Sequence, residues 1–518
     1  MVQKTFTMSN TQEPTFILTN GTVTITDCVN VSTNMFKVQI DPSIVDAIKK
    51  SREYVDKLVD DGKIVYGLTT GFGRLNDKFI SKEDTAKLQE NLIRSHAIGF
   101  GKPSPKHIVR CMLFIRLVCF CRANSGVSLE LCNKLVEVLN KNYVPMVPKS
   151  GSIGASGDLC PLAHATLGLM GEGTAFDSDS NTYIDSALVM KKLNIEPITL
   201  KSCEGLSMNN GTQFITSNAL FAFHNAQQVY KAANMTAAMT IEALHATHKA
   251  FDPLIHQAKP HKGQIYVAEK INSYILENGE PSEIGRVHAT KTVQNSYDIR
   301  CIPQVHGPVH DSLAFIENII TTEINSSNDN PLVFPDEDKT LSGGNFHGMY
   351  IGMVSDQITY AMTLLCNISE RRLDHLLNPD LNKCLPAFLV ENPGLNSGFM
   401  ITEYTSAALV GHNRQLCSPS SIHSISTCNG FESVVSMGAT AAKNSCIAVE
   451  NTYGVIALEL FAACQALDFT KETTTSQLQK IHHHIRHHGV PHIDTDTYMK
   501  PYFDIITDML KNDAFGLN

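Results

Sequence analysis

The sequence predicts a mainly α protein whose second half is a bundle of long helices, and three observations carry that expectation. Long stretches with helical spacing cover residues 214–249, 308–325, 350–377 and 433–468. They are rich in small residues, as at Ala237-Ala238 and at Ala439, Ala441 and Ala442, and small side chains let neighbouring helices pack closely. Short polar connectors join them, and no repeat with a period of roughly 20–50 residues is evident. Residues 1–213 are expected to form an N-terminal, mostly helical domain with a few short strands. Residues 214–518 are expected to form the long-helix bundle with C-terminal helices.

The N-terminal elements follow from local chemistry. Residues 1 to about 13 are polar and expected to be loose. Val23-Thr24-Ile25 and Phe36 to Ile40 alternate like short strands. Asp41-Pro42-Ser43 then opens a helix, with Pro42 suited to the first turn and Asp41 or Ser43 to the cap. Ile44, Ile48, Val55 and Leu58 keep one face apolar until Gly62. Helical segments are predicted around Leu88–Ile93, over 106–122, over 128–142 and from Leu159 to Met170. Cys119 and Cys121 are two apart, do not share a helix face, and read as core thiols. Residues 174–201 read as a polar, irregular excursion.

Composition narrows the class. With 518 residues and 43% hydrophobic residues, the chain is long enough for a large core and two or more domains. The net charge of −9 lacks the basic footprint of a nucleic-acid binder. No apolar run reads as a membrane span, and the N-terminus lacks the apolar core of a signal peptide. The 14 cysteines have no paired spacing and read as reduced thiols, which points to the cytoplasm. A late tract, His482-His483-His484 with His487-His488, matches no recognised zinc pattern and reads as a solvated helix end, so no metal is assigned.

The chemistry centres on Gly151 to Asp158, G-S-I-G-A-S-G-D. Such a run ordinarily makes a turn. It lacks the Gly-Lys-Ser/Thr of a phosphate loop and the register of a nucleophile elbow. Glycine permits close backbone approach, so the Gly157 nitrogen can attack the Ala155 carbonyl carbon and close a five-membered ring. Dehydration of Ser156 then leaves an exocyclic methylene. The product is a methylidene-imidazolone (MIO), an electrophile no ordinary side chain supplies. Polar connectors at 293–304, 326–331 and 342–347 concentrate Gln, Tyr, Arg, Asn and Phe on loops of a rigid scaffold, where sites are commonly built.

Together these stretches resemble the histidine ammonia-lyases, within the family that includes phenylalanine and tyrosine ammonia-lyases. The resemblance runs from about residue 15 to 495. It rests on Y-G-L-T-T-G-F-G at 66–73, G-S-I-G-A-S-G-D-L at 151–159, N-G-T-Q at 210–213, G-G-N-F-H at 343–347 and P-G-L-N-S-G-F-M at 393–400. It implies an L-aspartase/fumarase-like helix bundle, although the G-S-S-x-M-P-x-K-x-N signature of that other group is absent. It implies autocatalytic MIO formation from Ala155, Ser156 and Gly157, with no metal or external cofactor. The implied reaction is non-oxidative deamination of L-histidine to trans-urocanate and ammonia, the first step of histidine degradation. In it the substrate amine adds to MIO and a base removes the β-proton.

The same resemblance assigns residues. Tyr66 matches the base, and Asn210 and Tyr297 match residues around MIO. Arg300 matches the carboxylate clamp, a role that suits a guanidinium fork. Gln294, Asn330 and Phe346 match further pocket residues, and Gln304 a polar neighbour. Ser95-His96 stands where phenylalanine enzymes tend to have Phe-Leu, and Glu432 where they typically have glutamine. A carboxylate accepts from an imidazole N–H, which phenylalanine lacks. Thr69-Thr70 and Cys428 to Phe431 depart from the common histidine pattern and bear on substrate choice. The other readings are a phenylalanine or tyrosine ammonia-lyase, an MIO-dependent aminomutase, and a silent helical scaffold, against which the intact tripeptide and Tyr66 argue. A small amino acid substrate is expected, with no nucleic-acid or membrane partner, in a homotetramer whose subunits share active sites.

Overall fold

Side-chain caps set several of the helix starts in this chain. Asp41 accepts from Ser43 N at 2.8 Å ahead of Pro42, and the helix Pro42–Asp60 buries Ile44, Ile48, Val55 and Leu58 as the spacing predicts. Ser128 accepts from Leu131 N at the start of Leu129–Asn140. Val23-Thr24-Ile25 is not a strand. Thr24 Oγ1 accepts from Asp27 N and Asp27 Oδ2 accepts from Thr24 N, a reciprocal cap that opens a helix over Ile25–Ser32. The local cap outcompetes the short alternation.

The computed structural model describes residues 13–65, 67, 70–71, 80, 84–288 and 292–517. The fold is mainly helical, and its longest helices are Gln213–Ala243, Ile302–Ile324, Met349–Leu377 and Gly438–Leu467. Among the described residues the named strands occur as five two-stranded pairs. Thr15–Leu18 pairs parallel with Lys37–Ile40, and Phe100–Pro103 pairs antiparallel with Pro148–Ser150. The stretch 174–201 is more regular than its polarity suggests. It holds the hairpin Thr174–Asp177 with Thr182–Asp185, then the helix Ser186–Lys192 capped by Asp185.

The chain divides into two compact units. The first comprises residues 1–221, 318–355 and 419–443. Its helix Lys106–Cys121 is buried on nearly every side, Cys119 and Cys121 included, and carries the fully buried Arg116. The second comprises 222–317, 356–418 and 444–518. Ala226, Ala233, Ala237, Ala238, Ala457, Ala462 and Ala463 are fully buried there, the close packing that small residues permit. Glu459, also fully buried, accepts from Arg372 at 2.6 and 2.8 Å, from Thr240 at 2.7 Å and from Ser369 at 2.5 Å. Four donors satisfy a carboxylate that burial would otherwise penalise.

Two further expectations need correction. Gly438–Leu467 is long and apolar enough to cross a membrane, contrary to the sequence reading, but most of its apolar window is buried inside the protein. A helix apolar all round is what a bundle interior requires. The histidine tract lies on the helix Ser476–His487, and it is not simply solvated. His483, His487 and His488 are exposed, but His482 Nε2 donates to Asp468 Oδ1 at 2.7 Å, and His492 and Arg486 meet the same carboxylate. Burial opposes charge on His482, yet Asp468 together with Cys464 outweighs it and lifts the imidazole to about 9.

Candidate active site

The strand Pro148–Ser150 delivers the chain to Gly151, and the helix Leu159–Leu169 takes it up after Asp158. Between them the loop is tied from several sides. Ser152 Oγ donates to Asp158 Oδ1 at 2.7 Å and accepts from Gly154 N at 3.1 Å. Met437 N donates to the Ile153 carbonyl at 2.9 Å, and Ser436 Oγ to that of Gly154 at 3.3 Å. Gly157 has φ +73° and lies against Gly211, so a Cβ on Gly157 would fall 2.2 Å from the Gly211 carbonyl oxygen. Only glycine fits this approach. Asp158 N donates to that oxygen at 2.7 Å and fixes it.

Beneath the loop sits a buried polar network. The Asp158 carboxyl is pushed up to about 7 by burial, against hydrogen bonds from Ile215 N, at 2.8 Å, and Ser152, and against the nearby Arg116 charge. Arg116 donates to the Asn210 carbonyl and to Gln213 Oε1. Burial lowers its pKa, with Asp329 and Asp158 among the groups opposing that shift. Gln213 Nε2 donates to Asn328 Oδ1 at 2.6 Å, and Asn328 Nδ2 to Thr212 Oγ1 at 2.8 Å. Two connectors distant in sequence, N-N-G-T-Q and S-S-N-D-N-P, are thereby one hydrogen-bonded block.

The loop opens into a cavity of 1180 Å³ that lies wholly within the first unit. Its lining includes eight of the expected residues: Ser95, His96, Ala155, Ser156, Asn210, Asn330, Phe346 and Glu432. The helix Thr85–His96 presents Ser95 and His96 at its last turn, where Ser95 Oγ meets His96 Nδ1 at 2.9 Å. Burial lowers the His96 pKa, opposed by the Leu92 carbonyl and the Glu432 charge, so the imidazole is held neutral near neutral pH. Asn210 Nδ2 donates to the Asn330 carbonyl at 3.1 Å, and Asn330 Oδ1 accepts from Gly343 N at 2.9 Å. Glu432 Oε1 accepts from Ser156 Oγ at 3.1 Å and Oε2 accepts from Thr427 Oγ1 at 2.7 Å. A carboxylate, a neutral imidazole and the tripeptide hydroxyl thus face one space.

Of the remaining expected residues that the structure describes, Gly157, Gln294, Tyr297 and Arg300 are not among the lining of this cavity. Gln294 and Arg300, with Gln304, line a separate 310 Å³ cavity in the second unit. Tyr297 is 70% exposed, and the Arg300 guanidinium lies 4.5 Å from its ring centroid. Arg300 Nε is buried without a hydrogen-bond partner among the described residues. Among the described lining residues of the larger cavity there is no lysine or arginine. Tyr66 lies outside the described residues. The sequence motifs give no role to Arg116, Asp158, Asn209 or Thr427. An arginine inside the apolar run C-M-L-F-I-R-L-V-C-F-C was the available signal for the first. Asn209 is fully buried, lines the cavity, and its side-chain amide meets no partner among the described residues.

Elsewhere, His245, His288 and Glu472 place potential ligand atoms within 4.8 Å of one another. The two imidazoles are stacked, with centroids 3.8 Å apart and planes 18° from parallel. In-plane lone pairs of stacked rings run side by side and do not converge on one point.

A helical fold with a glycine-tight Ala-Ser-Gly loop facing a carboxylate defines a class, and comparison places the chain in it. The sequence model of the aromatic amino acid lyase family matches residues 23–487, and the chain belongs to that family. Within it, the chain is 43% identical to histidine ammonia-lyase of Bos taurus over 93% of this chain and 74% of that one. It is 42% identical to histidine ammonia-lyase of Caldanaerobacter subterraneus subsp. tengcongensis over 88% of each. Among solved structures it is similar to histidine ammonia-lyase from Trypanosoma cruzi, with a TM-score of 0.89 and 38% identity over 96% of this chain and 94% of that one. It is also similar to Pantoea agglomerans phenylalanine aminomutase, with a TM-score of 0.91 and 29% identity over 96% and 99%.

Proposed function

We propose that this chain is a carbon–nitrogen lyase that deaminates L-histidine to trans-urocanate and ammonia. The observation that carries the reading is the convergence of Ser156, Glu432 and His96 on one cavity, supported by the histidine ammonia-lyases it resembles. The residues present fit an MIO group, since Gly157 sits in a bend that admits no side chain and Ser156 faces the cavity. When formed from Ala155, Ser156 and Gly157, that group supplies an electrophilic carbon that turns the substrate amine into a leaving group.

The chain's own residues bind and orient. A Glu432 oxygen accepts the substrate imidazole N–H, and His96, kept neutral by burial, offers a second polar contact. Asn210, anchored through Asn330 and Gly343, and Phe346 complete the wall around Ser156. Tyr66 takes the β-proton. A free tyrosine has a pKa of about 10, so the site must favour its phenolate. Arg300 holds the carboxylate, with Gln294 and Tyr297 beside it. These three line none of the 1180 Å³ cavity, which offers the carboxylate no described cation. That division fits a homotetramer in which another copy supplies them, and the reduced-thiol reading of the cysteines makes the cytoplasm its proposed compartment.

Product analysis tests the reading. Purified protein given L-histidine should yield urocanate and free ammonia. Cinnamate or coumarate from L-phenylalanine or L-tyrosine as the preferred product would make it an aromatic ammonia-lyase, and a β-amino acid would make it an aminomutase. Tyr66→Phe should abolish turnover while the tripeptide still loses its two waters. Full retained activity would remove Tyr66 from its role.

A further inference from the structure

Glu432 gives one carboxylate oxygen to each of two hydroxyls, Oε2 to Thr427 Oγ1 and Oε1 to Ser156 Oγ. The side chain hangs from a closed turn. Thr427 N donates to the Glu432 carbonyl at 3.1 Å, and Glu432 N to that of Thr427 at 3.3 Å. Cys428, Asn429 and Gly430 between them all have positive φ, of +52°, +53° and +83°. A chain that doubles back this sharply, with its ends bonded, gives the carboxylate a fixed origin. The Thr427 hydroxyl then fixes its rotation. Across the gap, the Ser156 backbone is held by the Gly157–Gly211 contact and by the buried Asp158.

We propose that Glu432, clamped by Thr427, is a positioning residue for the maturation of Ala155-Ser156-Gly157. It holds the Ser156 hydroxyl in the rotamer from which that hydroxyl leaves. This rests on the functional reading above. In maturation a bond forms from Gly157 N to the Ala155 carbonyl carbon. The carbonyl oxygen departs as water with the protons of the Gly157 and Ser156 amides. Ser156 Oγ and its proton depart with the Cα proton as a second water, and a Cα–Cβ double bond remains. Oε1 of Glu432 loses its hydrogen bond in that second step. The acceptor that held the serine is thereby released to receive the imidazole N–H of the substrate, so the uncyclised chain blocks its own substrate contact.

Intact-protein mass of the full-length chain, followed through time after synthesis, tests this without relying on activity. Wild type and Glu432→Gln, which keeps an acceptor oxygen, should both lose two waters completely. Glu432→Leu should lose them about tenfold more slowly, the effect of removing one hydrogen bond from the step. Thr427→Val should mature more slowly than wild type, and Thr427→Ser should restore the rate. Maturation of folded Glu432→Leu at the wild-type rate overturns the proposal. If Glu432→Leu does not fold, maturation of Thr427→Val at the wild-type rate overturns it instead. A wild-type chain that never loses two waters removes the functional reading as well, whereas a normal wild type beside a normal Glu432→Leu refutes this inference alone.

Discussion

Replacing Glu432 with glutamine separates recognition of imidazole from the rest of the reaction. The side-chain volume is nearly unchanged, and Thr427 can still bond to the amide, so the cavity wall stays in place. The loss is the negative charge on the acceptor. Hydrogen bonds to charged groups contribute about 1.5–3 kcal/mol and neutral ones about 0.5–1.5 kcal/mol, so the substitution removes roughly 1–1.5 kcal/mol. That corresponds to about a tenfold fall in kcat/KM for L-histidine. L-Phenylalanine offers no N–H to this oxygen, so any turnover of it should be unchanged or raised. The assay is kcat/KM for both substrates, on protein whose mass shows complete loss of two waters. An unchanged value for histidine, or parallel falls for both substrates, would refute the assignment of Glu432 to the imidazole.

Four further outcomes follow from the geometry of the site and the core. Gly157→Ala places a methyl 2.2 Å from the Gly211 carbonyl oxygen at φ +73°, and should cost roughly 2–5 kcal/mol of stability and leave Ser156 uncyclised; an unchanged urea midpoint would contradict it. Glu459→Gln breaks a fully buried pair with Arg372 and should destabilise by about 3–5 kcal/mol, whereas a change below about 0.5 kcal/mol would show the pair to be dispensable. His96 has a folded pKa below its ordinary value, so the unfolded chain binds protons first as pH falls. Its contribution to stability is whole above about 6.5 and is lost as pH falls toward the folded value; His96→Gln should flatten that part of the stability–pH curve, and an identical slope would refute it. Asp158 has the opposite sign, because the folded chain holds its proton up to about 7, so stability erodes as pH rises from the ordinary carboxylate range through that value.

What the sequence makes legible is local. Helices with caps and periodic faces, such as Pro42–Asp60, are readable because their determinants lie within a few residues. Val23 to Ile25 shows the limit, where a four-residue cap overrides a three-residue alternation. The hairpin Thr174–Asp177 with Thr182–Asp185 is hidden by polar strands that alternation does not mark. The motifs offer candidate site residues one by one, but not their assembly. Nothing in the local pattern around Glu432 places it beside Ser156, 276 positions earlier, or returns 318–355 and 419–443 to the first unit. Arg116 and Asp158 act through burial, a property of the packed molecule that one sequence does not display. Arg300 and Tyr297 are legible as residue types, yet in a single chain they line none of the cavity around Ser156.

The central claim is that this cavity removes ammonia from histidine with an electrophile made from its own backbone. The most direct measurement supplies L-histidine, L-phenylalanine and L-tyrosine separately to purified protein and follows the unsaturated product by ultraviolet absorbance, with ammonia quantified in parallel. The account predicts urocanate and an equal amount of ammonia from L-histidine, at a kcat/KM well above that for either other amino acid. No unsaturated product from histidine, with turnover of phenylalanine or tyrosine, would contradict it.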